Sequence, residues 1–540
     1  MKKRRVLAVV LAVMLAMSFV LSACGGDMKE TAKETKKETT ESVKETNAAL
    51  ESTQGGGEKV LNVGSSAMYI NASLDVCDNS TYNYFNISTM GIGECLFKLD
   101  NTLTPQPWLA TKLEQVDDLT WKITLRDDVK FHNGNAMTAE SVKRSLERTL
   151  KDFDLAAESL SVDNITADSD FELTLVTKET TPGLMSVLCD TMFMIYDFED
   201  GCDFAEDSSY TGPFVLDSKE ADVSKTLVKF DDYWGGAAKI DKVVFKATDD
   251  PAAALEAGDI DLAQNVSISD LEYFEGLDGF EVTSALVPRG EQIWFNENHD
   301  GVNDLAVRTA ISKCFDRDTI AKTIYGGMAE ASYGIFPDFL SFGGTDKLNL
   351  TVDSYDPEGA AKILEDAGYA DTDGDGILDK DGVKLSFKMV SFQDASLLAV
   401  ADLLTSTLKD IGIELSTEAT YDTRSFEDAD DFDILLITYG MAMIGNPYYW
   451  MNTMVASTAN ANTGHYNNAQ VDTLISQMNA AKDTAERDDL CFQIQQHMID
   501  DCHWVVFAHK SIYYVYNSKL KNFTASPCQY YTMDNLMDIE

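Results

Sequence analysis

Apolar and polar positions change rhythm several times along this chain, and each rhythm predicts a different element. Val6 to Val20 is an uninterrupted apolar run preceded by Lys2, Lys3, Arg4 and Arg5. It is too short and wrongly flanked for a stable membrane span. From Asp27 to Gly57 there is no aromatic residue, and Lys-Glu-Thr recurs at Lys29, Lys33, Lys37 and Lys44. Such a stretch cannot bury enough apolar surface to offset its ordering entropy. It predicts a stalk, closed by Gly55-Gly56-Gly57 as a flexible joint. Beyond it, Trp121, Ile123 and Leu125 alternate as a half-buried strand. Asn133-Gly134 is a turn signal, and Thr138 caps a helix with the apolar stripe Val142, Leu146 and Leu150. Asp356 and Pro357 open a further helix that Gly368 ends. Asp433 to Gly440 predicts a buried strand running into a loop, Met441 to Trp450. Trp504 to Phe507 and Ile512 to Tyr516 are rich in β-formers.

The apolar run ends in Leu21-Ser22-Ala23-Cys24, followed by Gly25-Gly26. This resembles the bacterial lipoprotein box, which implies diacylation of Cys24 after cleavage behind residue 23. More than one acyl chain is needed for stable anchoring, and lipidation at Cys24 would supply them. The mature chain is then expected at the cell membrane, lipid-anchored on the extracytoplasmic face. An ordinary signal peptide with a chance cysteine, or an N-terminal anchor helix, is the alternative.

Charge narrows the partners. The formal net charge is −47. An acidic surface repels nucleic acid and anionic headgroups, so no nucleic acid partner is expected and the membrane is met only through the anchor. Besides Cys24 there are eight cysteines, Cys77, Cys95, Cys189, Cys202, Cys314, Cys491, Cys502 and Cys528, with no CxxC among them. Disulfides are permitted outside the cytoplasm, but spacing does not choose a pairing, and buried free thiols are an equally good reading for Cys314. There is no HExxH, GxSxG or Walker A sequence, and Gly91-Ile92-Gly93 is an incomplete dinucleotide fingerprint. No two of the six histidines form a metal-ligand pair at helical spacing. A non-enzyme without a cofactor is expected.

The run from Thr120 to Leu150 resembles the signature of the family 5 extracytoplasmic solute-binding proteins, which serve ABC importers of oligopeptides, dipeptides and nickel. Similar motifs follow in order: Pro107-Trp108-Leu109-Ala110, Thr211-Gly212-Pro213-Phe214, Phe230 to Gly236 with Tyr233-Trp234, Ala257-Gly258-Asp259-Ile260-Asp261, Phe295-Asn296, and Arg308 with Asp316-Arg317. Trp121, Tyr233 and Trp234 read as core, Asp304 and Asp316 as helix caps, and Arg308 as a residue holding an ion pair.

The resemblance implies an α/β, two-lobed periplasmic-binding-protein-like fold (type II, cluster C). Lobe one is expected over 58–287 plus 506–540, with an extra subdomain at about 97–210, and lobe two over 288–505. Residues 1–23 would be the signal peptide and 24–57 the anchor and stalk. The implied function is capture of short peptides by hinge closure and delivery to ABC permease subunits, by a monomer. A nickel or metallophore chelate, or another organic solute, is the alternative. An extracytoplasmic hydrolase, a surface adhesin and a sensing role are the competing classes.

In peptide-binding relatives the loop after the buried strand reads Trp-x-x-Asp-x-x-Asp-Pro, and its first Asp pairs with the peptide's ammonium. Here Tyr439 stands for the Trp and Asn446-Pro447 for the Asp-Pro, so the ammonium position falls on Ala442 or Met443, neither of which accepts a hydrogen bond well. The cleft candidates are Trp294, Asn296, Tyr439, Met441, Met443, Tyr448, Tyr449 and Trp450, with Tyr82 and Tyr84 from the first lobe; packing is the competing reading for each aromatic. Separately, Asp371, Asp373, Asp375 and Asp379 look like the start of a calcium loop, although Gly382 stands where an EF-hand needs Glu; a hairpin turn is the alternative.

Overall fold

The computed structural model describes residues 57–540 apart from 79–82, 182, 265, 351–353 and 482. Cys24, the apolar run, the stalk up to residue 56 and Tyr82 lie outside the described residues. Among the described residues no helix is long and apolar enough to cross a membrane.

One eleven-stranded sheet runs through the molecule. At its centre two long strands, Phe280–Phe295 and Trp504–Asn517, pair antiparallel. Both are rich in β-branched and aromatic residues, and the halves Gly290–Phe295 and Trp504–His509 are buried throughout. On one side they continue into the parallel strands Ile434–Gly440, Ser386–Phe392 and Glu414–Thr420. On the other they continue into Leu262–Gln264, Val60–Ser65 and Lys242–Ala247, again parallel, and then the antiparallel Ser224–Lys229 and Phe214–Glu220. The fold is therefore α/β with two lobes sharing two crossover strands. Between Leu286 and Gly290 the crossover pairing breaks register. Ladder hydrogen bonds are lost there, which makes this the natural place for a bend.

Strand periodicity distributes the core of the second lobe. Ile293, Phe295, Ile434, Leu436, Val505 and Phe507 point to one face and pack with the helices Leu305–Lys313, Pro357–Asp366 and Ala395–Asp410. Trp294, Leu435, Trp504 and Val506 point to the other and join Trp450, Met451, Ile475 and Met498. The helix starts follow their sequence signals. Asp304, Asp316 and Asp356 each accept a backbone N–H of the first turn. Arg308 bonds the carbonyls of Val302 and Asp501 and lies 3.8 Å from Glu297, inside the second lobe.

A separate antiparallel sheet orders Ala110–Gln115, Thr120–Leu125, Glu172–Thr177 and Val162–Ala167. Trp121, Ile123 and Leu125 are buried, and Lys122 between them is exposed. Thr138 accepts the Ser141 N–H at 3.3 Å, and Val142 and Leu146 of the helix Ala139–Asp152 are buried in the same core.

Three of the motifs, those with Trp108, Thr211 and Tyr233-Trp234, converge on one carboxylate. Glu94, 6% exposed, accepts hydrogen bonds from Trp108 Nε1 (2.8 Å), Thr211 Oγ1 (2.8 Å), Tyr233 Oη (2.8 Å) and Trp234 Nε1 (3.1 Å). All eight described cysteines are free thiols, and Cys314 is buried.

Candidate binding cleft

In open α/β sheets, ligands bind beyond the carboxyl ends of parallel strands, where the connections diverge. Two such ends face each other here. Val60–Ser65 leads into the helix Ala67–Asn71, which carries Tyr69. Ile434–Gly440 ends at Tyr439 and Gly440, followed by the loop to Trp450. Between them lies the crossover break with Arg289, which pairs with Gly440 across the ladder. Arg289 and Tyr69 are near enough to influence each other's ionisation.

Several side chains around this point are deep in the molecule yet keep solvent-accessible surface. They are Tyr69, Asp190, Arg289, Tyr439 and Lys510, and desolvation is the largest influence on the ionisation of each. Each is thus desolvated without being sealed from solvent.

Its electrostatics are mixed. Burial lowers the Arg289 pKa, opposed by Tyr530, Tyr69 and Glu291. The Arg289 Nε donates to Gln529 Oε1 at 3.3 Å, and among the described residues no carboxylate lies within ion-pair distance of its guanidinium. Lys510, by contrast, has Glu291 at 3.6 Å. Glu291 also accepts the Thr438 hydroxyl at 2.7 Å. Burial pushes the Asp190 carboxyl up to about 6, against hydrogen bonds from the Met192 N–H and the Tyr530 side chain.

The loop after Tyr439 is seated on the first lobe. Gly445 has φ +66°, and a Cβ there would lie 1.8 Å from the Leu103 carbonyl oxygen. A Cβ on Gly183 would lie 2.3 Å from Asn446 Nδ2. Asn446 is 1% exposed, and its Oδ1 accepts the Tyr448 N–H. Both contacts need a missing side chain, so glycine at these positions permits the close approach.

Tyr439 lies near the end of the strand Ile434–Gly440, and Met441, Met443, Tyr448 and Tyr449 follow it in the loop. Met441 is buried, with its Cε against Gly290, and Met443 packs on Gly440. Tyr449 is 41% exposed, near enough to Glu158 and Asp190 of the first lobe for both to raise its pKa after burial. Trp294 lies edge-on to Tyr439 at 6.2 Å and is buried. Trp450 packs between Trp504 and Phe336, at 5.8 and 5.6 Å. The indole N–H groups of Trp294 and Trp450 have no partner among the described residues. Asn296 lies at the far end of its strand from Arg289, with its amide bonded to Asp430 (2.7 Å) and the Phe432 carbonyl (3.1 Å). Tyr84 is buried beside Phe153.

Sequence reasoning missed Tyr69, Asp190, Arg289, Lys510 and Tyr530. Only Arg289 carries a local signal, a lone cation beside Gly290 in an otherwise strand-forming run.

On the second lobe, Asp371, Asp373 and Asp375 converge with ligand atoms within 4.8 Å, all exposed. Asp379 turns its carboxylate to Thr372, and the Lys384 ammonium pairs with both Asp373 and Asp375.

A two-lobed α/β body joined by two crossover strands, with charged side chains where the strand ends of the two lobes face each other, is the architecture of a solute-binding protein. The model for "Bacterial extracellular solute-binding proteins, family 5 Middle" matches residues 104–462, and the chain belongs to that family. Its members work with ABC importers outside the cytoplasm. The nickel-binding protein NikA of Staphylococcus aureus is 28% identical over 84% of this chain and 90% of its own length. The oligopeptide-binding protein AppA of Bacillus subtilis is 26% identical over 93% of each. The crystal structure of a nickel ABC transporter protein from Bacillus halodurans superposes with a TM-score of 0.78 at 29% identity, covering 89% of this chain and all of that one.

Proposed function

We propose that this protein captures short peptides in the cleft between its lobes and delivers them to an ABC permease, while anchored to the membrane through a lipid on Cys24. The observation that carries the reading is Arg289, a half-buried cation at the crossover break with no carboxylate within ion-pair distance among the described residues. A desolvated charge left unpaired is unfavourable, so the ligand is expected to bring an anionic group to it. A peptide supplies one in its terminal carboxylate. Extended main chain can also bond strand ends without selecting side chains. The cleft residues are Tyr69, Arg289, Tyr439, Met443, Tyr448, Tyr449 and Lys510.

Closure follows from where these groups sit. Tyr69 belongs to one lobe and Tyr439 to the other, so a ligand touching both favours the closed form by its differential affinity. The break between Leu286 and Gly290 supplies the bend, and Gly445 on Leu103 the latch.

A second reading is a metal chelate with carboxylate-bearing ligands, favoured by the similarity to nickel-binding relatives. Native mass spectrometry of residues 58–540, purified without added ligand, separates the two. Co-purifying masses that fragment as short peptides support the first; a single metal-containing adduct supports the second. The intact mass of the membrane-extracted protein tests the lipid on Cys24.

A further inference from the structure

Two histidines meet over one aspartate at the amino end of the strand Ile434–Gly440, opposite the end that carries Tyr439. Asp430 Oδ1 lies 3.2 Å from His465 Nε2, and Asp430 Oδ2 lies 3.9 Å from His299 Nε2. The other ring nitrogen of His299, Nδ1, is bonded to Asp433 Oδ1 at 2.8 Å. A carboxylate only accepts, so in the neutral ring the proton is on Nδ1 and Nε2 presents its lone pair. That lone pair faces a second carboxylate, and two electron-pair donors repel unless a cation stands between them. A proton serves at low pH; above the imidazole range the cation has to come from outside. Among the described residues no Lys or Arg lies within ion-pair distance of Asp430. The Lys388 ammonium is taken by Asp431 (2.9 Å) and Glu418 (3.1 Å). The side chains of His299, Asp430 and His465 are 30, 48 and 41% exposed, so an ion can reach them.

The frame that holds these groups is fixed by hydrogen bonds between distant segments. The Asn296 N–H donates to the Asp433 carbonyl and the Glu297 N–H to the Gly464 carbonyl, both at 2.9 Å. Asp433 Oδ2 accepts the Lys388 N–H at 2.7 Å, and Asn296 Nδ2 donates to Asp430 Oδ1 at 2.7 Å. Asp430 and His465 both hold left-handed conformations, φ +56° and +59°. Asp430 ends the helix Thr423–Ala429, where glycine is the common residue for that conformation. A side chain is kept at each position in spite of its backbone cost.

We propose that His299, Asp430 and His465 bind one divalent transition-metal ion of the zinc or nickel type, with Asp433 positioning His299 from behind. Two imidazoles and a carboxylate suit such ions rather than magnesium or calcium. A carboxylate behind a ligating histidine fixes its tautomer and raises its basicity. Neighbouring donors on a zinc ion stand about 3.3 Å apart, so His465 is already at that spacing and His299 has to close from 3.9 Å. No ammonium has to be displaced here, unlike Lys384 in the aspartate loop. The ion would clamp three segments of the second lobe without entering the cleft. A metal ion held by this protein is then not by itself the sign of a chelate between the lobes.

The test is calorimetric titration of the full chain, freed of metal by a chelator, with ZnCl₂ and NiCl₂, and with MgCl₂ as the control. The variants are His299→Ala, His465→Ala, the two combined, and Asp433→Asn, each checked for folding by circular dichroism. Wild type is expected to take up one zinc ion that the combined variant does not, and no magnesium at that site. Each single histidine variant should weaken zinc by at least about 100-fold, and Asp433→Asn by about 10–100-fold. In Asp433→Asn, imidazole ¹⁵N spectra should show His299 leaving its fixed Nδ1–H tautomer, which a merely structural role of Asp433 would not cause. X-ray absorption at the zinc edge should show imidazole and oxygen ligands without sulfur, separating this site from the thiols. Wild type taking up no zinc, the combined variant binding it as wild type does, or sulfur around the ion would each overturn the proposal.

Discussion

The Trp108 indole donates its N–H to Glu94 Oε1 at 2.8 Å, deep in the first lobe. Trp234 meets Trp108 edge to face at 4.9 Å and donates to the other oxygen. Burial raises the Glu94 pKa, and the four donors oppose it. Removing the acceptor leaves buried donors without partners, which is worse than losing a bond. Glu94→Ala should destabilise the protein by about 3–5 kcal/mol in urea denaturation. Glu94→Gln, which keeps an acceptor oxygen, should lose clearly less. Equal losses would mean that the cavity, not the bonding, dominates.

Gly445→Ala addresses closure. The new Cβ meets the Leu103 carbonyl, and φ +66° is strained for alanine by about 1 kcal/mol. The lobes should fold normally, but the seated loop must withdraw. Ligand affinity is expected to fall at least about tenfold, the equivalent of 1.4 kcal/mol. Small-angle scattering with saturating ligand should show a larger radius of gyration than wild type. An unchanged radius and affinity would remove the latch.

Asp190 makes a pH-dependent contribution with a definite sign. Its folded pKa, about 6, is raised above the ordinary 3.8. Below 3.8 the group is protonated in both states and contributes nothing. Between 3.8 and about 6 the unfolded chain ionises this group while the folded protein keeps it protonated, so stability without ligand declines over that window and levels off above it. Asp190→Asn should therefore raise the stability of the empty protein by about 1–3 kcal/mol above the window and hardly at all below it. Thermal melts across the window check this.

The aspartate loop of the second lobe has an ammonium already in it. Lys384 pairs with Asp373 and Asp375, so a cation must displace it to use both. Adding calcium to about 1 mM should leave the melting temperature of wild type unchanged and raise that of Lys384→Ala. A rise in wild type would show that Lys384 yields.

Much of the fold was legible because its signals are local. Trp121, Ile123 and Leu125 alternate because a strand does, and Thr138 and Asp356 stand where a first turn exposes its N–H groups. The site was legible only in part. Tyr439 to Tyr449 run from the end of one strand through its loop, so the sequence marks the stretch but not which of its side chains meet. Asn296 was a poorer guide: its motif marks a strand end, and its amide serves Asp430 and Phe432 there. Trp450, read from its neighbours in sequence, belongs with Phe336 and Trp504.

The sequence by itself determined the elements, the helix caps and the family, since periodicity, capping and motif order are all written along the chain. Only the tertiary structure decided that Trp108, Thr211, Tyr233 and Trp234 share Glu94, and that Arg289 meets Gln529 and pairs across the ladder with Gly440. The reason is that a buried charge is defined by what surrounds it. Those surroundings are strand ends and loops distant in sequence, which no local pattern records.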